Sequence, residues 1–154
     1  MDLEATRMLF GFNYDALNKN IDGLTHDDSL IQPGGGGNCL NWVVGHVAAT
    51  RNIILTLVQE EPVLAETIAA RYAQGSSPIT SAEDPPRLED LVDAFRRAQE
   101  PLVAGLGRLP PKELAEPFRG RTVGETLAIL QFHEAYHIGQ AGLLRRIIGK
   151  QGVI

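Results

Sequence analysis

The sequence predicts an all-α protein, a four-helix bundle with a long crossover between its second and third helices. In four segments apolar residues recur at spacings of three, four and seven, as they do along the buried face of a helix. No stretch alternates apolar and polar residues over more than four positions, so no sheet is predicted. With 154 residues, 44% of them hydrophobic, residues 1–154 are expected to form a single domain.

The first two predicted helices are separated by a polar and glycine-rich loop. The first helix runs from Asp2, a good N-cap, to about Leu24. The loop ends in four consecutive glycines at 34–37, which are interpreted as a flexible connector because no Lys-Ser or Lys-Thr pair of a phosphate-binding loop follows them. The second helix is predicted from the cap Asn38 to about Gln59.

The second and third helices are joined by about 25 residues, in which residues 62–72 have the pattern of a short helix. Such a connection can run the length of a bundle roughly 30 Å long, so the two helices need not be antiparallel neighbours. Asp84 and Pro85 have the residue types of a cap and a first helical position and announce the third helix, which is predicted from Arg87 to about Leu106. Pro101 is expected to bend or split it.

The fourth helix is predicted to be the longest. It starts at the capping box T-V-G-E, in which Thr122 and Glu125 bond each other's backbone N–H groups, and it ends near Gly149.

Charge and cysteine content indicate which partners to expect. The net charge is −5 and the 14 Lys and Arg form no block, so neither nucleic acid nor a membrane surface is an expected partner. No apolar run approaches the roughly 20 residues of a membrane span, and the first residues are not a basic leader, so a cytoplasmic location is expected. The single cysteine, Cys39, fits a reducing compartment and is interpreted as a small buried hydrophobe.

The fourth helix carries His133 and His137, spaced so that both side chains lie on one helix face, about 6 Å apart along the axis. Two such imidazoles can share one metal ion. With Glu134 the pair also matches H-E-x-x-H, the zinc-protease signature. The 17 residues after His137 contain no Asp, Glu, His or Cys, so a third protein ligand must come from upstream.

Two histidines lie upstream, in different settings. His26 falls in a polar turn and is interpreted as a solvated residue without a metal role. His46 falls on the apolar face of the second helix; a lone histidine there is more often a core residue, but the His133 and His137 pair makes it the candidate third ligand.

Two side chains flank the histidine pair on the fourth helix. Glu134 and Tyr136 are weak catalytic candidates; each is placed either to reach a metal-bound water or to pair with a neighbouring helix.

These residues resemble a known family. The segment N-W-V-V-G-H-V at 41–47, followed by H-E-A-Y-H-I-G-Q at 133–140 and L-L-R-R at 143–146, is similar to the DinB/YfiT-like superfamily of metal-binding bundles. The resemblance in layout covers nearly the whole chain.

The resemblance implies a four-helix bundle with a long crossover after helix two, frequent homodimers and, in some members, transfer of a low-molecular-weight thiol. It also implies a divalent ion, typically zinc or nickel, with the ligand positions falling on His46, His133 and His137. Arg51 stands where members often place an acidic residue soon after the helix-two histidine.

The ligand set favours a catalytic interpretation. Three neutral imidazoles leave a divalent ion with its full charge and an open position, where water or a thiol is acidified. We therefore expect a metal-dependent enzyme that acts on a small-molecule substrate, as a low-molecular-weight thiol transferase or a hydrolase. The alternative is a non-enzymatic bundle whose metal or buried histidines serve folding, sensing or dimerisation. A zincin-like peptidase is disfavoured by the missing downstream ligand.

Overall fold

The computed structural model describes residues 2–80, 82 and 84–153, and it is helical throughout most of that length. The described α-helices are α1 (Leu3–Ile21), α2 (His26–Leu30), α3 (Leu40–Leu57), α4 (Glu66–Arg71), α5 (Leu88–Arg108) and α6 (Val123–Ile147). Short 3-10 turns span Gly34–Gly36 and Pro111–Ala115, and an antiparallel hairpin pairs β1 (Pro117–Phe118) with β2 (Arg121–Thr122). The all-α prediction is confirmed. The hairpin is not predicted from the sequence because two residues are too few for an alternating pattern to be visible.

The four long helices form the bundle, in which α1 and α3 each pack against both α5 and α6. Asn41 near the start of α3 donates to the carbonyl of Pro86 just before α5, while Gly105 near the end of α5 lies against Val58 just after α3. The two helices therefore run in the same direction. The connection between them must return the chain to the end where α3 began, and the predicted crossover is confirmed.

The apolar side chains of the bundle form two clusters along its length. One surrounds the first half of α3 and includes Trp42, Tyr72 and Phe95; the other includes Phe10 and Leu102. Cys39 is fully buried in the first cluster, and its Sγ lies 3.6 Å from the carbonyl oxygen of Ile79. None of the described helices is long and apolar enough to cross a membrane.

Two of the predicted N-caps are confirmed and two are wrong. The Asp2 carboxylate accepts from the first N–H groups of α1, and Thr122 and Glu125 form the reciprocal capping box of α6. However, α3 has Cys39 in the cap position in place of Asn38, and α5 has Arg87, the predicted first residue of that helix, in the cap position in place of Asp84. Asp84 has a φ of 46°, which is outside the extended region that an N-cap residue adopts.

The interpretation of His26 as a solvated turn residue is wrong. Thr25 and Asp28 form a capping box, so the polar segment starts the short helix α2 instead of a turn. His26 is 8% exposed, and its Nδ1 accepts a hydrogen bond of 3.1 Å from the N–H of Leu88. The imidazole therefore accepts from the first backbone N–H of α5. The N-cap residue of that helix makes no side-chain hydrogen bond of its own to these N–H groups.

Pro101 does not split the third long helix. α5 is continuous from Leu88 to Arg108, and the proline lies within it. A proline removes one hydrogen bond of the ladder, but the apolar face of α5 on both sides of it is buried, with Phe95 and Leu102 fully enclosed. Packing of that face holds the two halves as one helix.

Candidate metal centre

The structure brings His46, His133 and His137 together between α3 and α6. The Nε2 atom of His133 lies 3.0 Å from Nε2 of His46 and 3.1 Å from Nε2 of His137. The ligand atoms of all three lie within 4.8 Å of one another. The pair on α6 is one helical turn apart, so its rings point the same way, and the α3 histidine meets them from the opposite wall.

In His46 and His137 the outer nitrogen, Nδ1, points away from the cluster, and its hydrogen-bond partner determines which ring nitrogen carries the proton. Nδ1 of His46 lies 2.6 Å from the carbonyl oxygen of Tyr72, and Nδ1 of His137 lies 2.7 Å from Oε1 of Gln140. These oxygens only accept, so each Nδ1 is the donor. The Nε2 atoms of both neutral rings therefore present lone pairs to His133.

This arrangement fits a cation. A neutral His133 has at most one proton on Nε2, so it can donate to only one of the two lone pairs that face it. The other contact brings two lone pairs together unless a positive ion lies between them. A tetrahedral ion with metal–nitrogen bonds of about 2.0–2.1 Å would hold its nitrogens about 3.3 Å apart, close to the distances observed.

His133 differs from the other two histidines in its outer nitrogen. Among the residues that the structure describes, no group bonds its buried Nδ1. A hydrogen bond at the outer nitrogen raises the basicity of a ligand histidine. His133 is therefore the least basic member of the set.

The pKa values of the three histidines are all lowered. Burial is the main cause for His46 and His137. Burial, with the neighbouring histidines adding to it, lowers the pKa of His133 to about 4. The three rings are therefore neutral at pH 7, which is the state that metal ligation requires.

His46 is oriented by Tyr72, a residue that the sequence analysis does not single out. The Tyr72 ring lies flat against Gly45, where a Cβ would come within 2.4 Å of the ring carbons. The Tyr72 hydroxyl donates to Oδ1 of Asn41 at 3.0 Å. These two contacts hold the Tyr72 carbonyl on His46. The motif N-W-V-V-G-H therefore contains a sequence signal for the role of Tyr72, because its Asn41 and Gly45 both contact that residue.

Trp42 supports the same ring from another side. Its indole stacks on the imidazole of His46 with centroids 4.5 Å apart and planes at 14°. Its Nε1 donates to Oγ of Ser76. Stacking and the Tyr72 bond together leave His46 one orientation, with Nε2 toward α6.

Gly45→Ala is expected to lower zinc affinity by about 10- to 100-fold, the usual effect of disturbing the groups that orient a ligand. The added methyl group displaces the Tyr72 ring and with it the carbonyl that bonds His46. Competition with a chromophoric chelator measures the affinity, and circular dichroism checks that helix content is retained.

Gly139→Ala is the matched control, because it lies two residues past His137 and a Cβ there meets nothing within 4 Å. Equal affinities of the two variants would show that Tyr72 does not position His46.

Glu134 pairs with a neighbouring helix, which is one of the two roles considered for it. It is 1% exposed, and its two oxygens accept from Nε and Nη2 of Arg51 on α3 at 2.8 and 2.9 Å. Arg51 also donates to the carbonyl of Phe95 and to Gln99, and its guanidinium lies 3.8 Å from the Phe95 ring centroid. The carboxylate is therefore committed to a fully buried ion pair, which accounts for an arginine at position 51.

Tyr136, the other candidate, lies at the surface. It is 56% exposed, its hydroxyl accepts from Nε2 of Gln140 at 3.2 Å, and its ring packs edge-on against His137. It therefore stabilises the Gln140 side chain, which in turn accepts from His137.

A cavity of about 1060 Å³ opens beside the histidine cluster. Its lining residues come from α3, from residues 62–74, from the β1–β2 turn and from α6, and they include His46 and His133. A small molecule can reach the cluster through it.

Comparison with known proteins agrees with this geometry. A search of curated proteins found no match. A family model for the DinB superfamily matches residues 9–141, which contain all three clustered histidines and the four long helices except for the start of α1 and the end of α6. The chain belongs to the DinB superfamily.

Proposed function

We propose that the protein is a metal-dependent enzyme that acts on a small molecule, as a low-molecular-weight thiol transferase or as a hydrolase. A zinc or nickel ion would be held by His46, His133 and His137. The observation that carries the proposal is that His46 and His133 border a cavity large enough for a substrate. A purely structural metal site is usually closed by four protein ligands.

A divalent ion on three neutral ligands supplies a positive charge that acidifies a bound water or thiol. The chain's own residues keep that site in order. Burial keeps the imidazoles neutral, while Tyr72 and Gln140 hold the outer protons of His46 and His137. Glu134 is not placed to act as a base, because Arg51 binds both of its oxygens.

The alternative is a non-enzymatic role for the metal in folding, sensing or dimerisation. It is favoured by one observation: the three histidines come from α3 and α6, so an ion would tie two helices together. Elemental analysis combined with a screen of thiol cofactors and electrophiles separates the two functions. Stoichiometric metal with turnover supports the enzyme; stoichiometric metal that only raises the melting temperature supports the alternative.

Zinc affinity is expected to remain nearly constant between about pH 8 and 6 and to fall at lower pH. Protons compete with the metal only near the pKa of each folded-state imidazole, and burial lowers all three below the ordinary value of 6.5, that of His133 to about 4. The fall therefore begins below pH 6 and continues toward pH 4. Chelator competition across this range measures it. An affinity that is already lost at pH 6.5, or unchanged at pH 4, would contradict a buried histidine site.

We also propose that the protein forms a homodimer through the outward faces of α1 and α6. Phe12 on α1 and Leu143 on α6 are 64% and 60% exposed and line one groove of about 500 Å³. Further exposed apolar side chains extend along the same two helices: Met8, Leu9 and Phe132. Large exposed apolar patches mark interaction surfaces, and a two-fold dimer places the same face on both subunits.

Light scattering after size exclusion tests the dimer. The double variant Phe12→Glu with Leu143→Glu is expected to be monomeric, because four carboxylates would be buried in the interface. Ile31→Glu, an apolar-to-acidic change at a 44% exposed residue after α2, is the control and is expected to leave the dimer intact. A parent protein that runs as a monomer would contradict the proposal.

A further inference from the structure

The walls of the cavity beside the histidine cluster are mostly apolar. On one side α3 contributes Ala49 and Ile53, and on the opposite side the crossover contributes Val63, Leu64 and Ala69. The apolar side chains Phe118, Ile129 and Leu130 also line it. The histidines lie at a border of this space, so a molecule bound to them must extend along apolar side chains.

Two polar side chains in the walls, Asn52 and Thr56, are already bonded within the protein. Asn52 donates to the carbonyl of Leu64 and accepts from the N–H groups of Val63 and Leu64. The Thr56 hydroxyl donates to the carbonyl of Asn52. Asn52 therefore holds the crossover against α3, while the Thr56 bond lies within α3, and both side chains already have partners.

Among the residues that the structure describes, the charged side chains of the lining lie at exposed positions. Apart from the histidines, its charged residues are Glu66 and Arg119, and both are exposed. The guanidinium of Arg119 lies 5.1 Å from the ring centroid of Phe118. A charged group bound deeper in the cavity would lose its hydration without gaining a partner, which is unfavourable.

We propose that the small molecule that acts at the histidine cluster carries a metal-binding head and an apolar, uncharged body, which lies between α3 and residues 62–74. This inference rests on the proposed function, because the head needs a metal at the three histidines. It adds the substrate class: the compound is amphipathic, and a molecule with charges along its body is rejected.

The test uses protein loaded with Co²⁺ and a series of straight-chain alkyl hydroxamates from acetohydroxamate to octanohydroxamate. The hydroxamate is a general metal-binding head, and only the length of the body changes along the series. Visible absorption of the cobalt reports binding directly, without any turnover. The affinity for the hydroxamate is expected to rise about fourfold for each methylene that the cavity buries. A second series ending in a terminal carboxylate is expected to bind no more tightly as it lengthens.

Two cavity-filling variants locate the body. Ala49→Leu on α3 and Ala69→Leu on α4 place added methyl groups in the space from opposite walls, so either variant is expected to stop the rise at a shorter chain. Ala128→Leu is the matched control: the residue is exposed on α6 and does not line the cavity, so the full rise is expected to remain. The two filling variants test the same space independently should one of them fold poorly.

The outcomes separate this inference from the proposed function. Failure of the folded parent to take up Co²⁺ would overturn both. If the protein takes up Co²⁺ but its affinity for the hydroxamates does not depend on their chain length, the apolar body alone is overturned. A rise that persists unchanged in both filling variants would show that the body lies elsewhere.

Discussion

Replacing His46 with Ala is expected to weaken zinc binding by orders of magnitude. The change leaves two ligands on α6, His133 and His137, and two protein ligands rarely hold zinc against water. It also leaves the Tyr72 carbonyl without its donor. Metal content after dialysis and chelator competition both measure the loss. A variant that binds zinc as tightly as the parent would make His46 an ordinary core residue.

His26→Ala is the histidine control for that experiment. The His26 ring is buried and accepts from the N–H of Leu88, so its removal is expected to destabilise the fold by about 1–3 kcal/mol. The ring belongs to a contact between α2 and α5 and not to the cluster, so zinc affinity is expected to be unchanged. A loss of affinity here equal to that of His46→Ala would mean that the metal effect comes from general destabilisation.

Breaking the ion pair between Arg51 and Glu134 is expected to lower the free energy of unfolding by about 3–5 kcal/mol. Both side chains are almost completely buried, so Arg51→Ala or Glu134→Ala leaves one charge without its partner in the core. Urea denaturation followed by circular dichroism measures the loss. In a zincin, the glutamate of H-E-x-x-H can be removed with loss of turnover but little loss of stability, and that result would contradict the structural role of Glu134.

Two further variants calibrate this result. Arg97→Ala breaks an exposed ion pair with Asp93 on α5 and is expected to cost less than about 1 kcal/mol. The double variant Arg51→Met with Glu134→Leu removes both buried charges and is expected to recover most of the stability lost by either single change. Recovery would show that the single variants suffer from an uncompensated charge and not from lost volume.

Features set by residues close in sequence could be predicted. The long helices follow from apolar spacing, and the start of α6 follows from the T-V-G-E box, in which Thr122 and Glu125 are three residues apart. The spacing of His133 and His137 likewise places them on one face. That His46 joins His133 and His137 was predicted from its position on the apolar face of the second helix and from the family resemblance.

Features set by distant contacts could not be predicted. Arg51 and Glu134 are 83 residues apart, and nothing in either segment indicates that they meet. The partner of His26 lies 62 residues away on α5, and a polar sequence around it suggested solvent. The Thr25 and Asp28 capping box was a local signal that does indicate a helix there, although it does not reveal which surface buries the histidine.

The hydrogen bond that orients His46 cannot be removed by substituting the residue that accepts it. Its acceptor is a main-chain carbonyl, which every amino acid possesses, so no substitution of Tyr72 deletes the acceptor itself. Tyr72→Phe, for example, loses only the bond to Asn41. Tyr72→Ala would therefore report the loss of the ring contacts that hold the carbonyl in place, and not the loss of the acceptor. The same orientation is also sensitive to Gly45, a residue with no side chain to remove, because any added atoms there push the Tyr72 ring away.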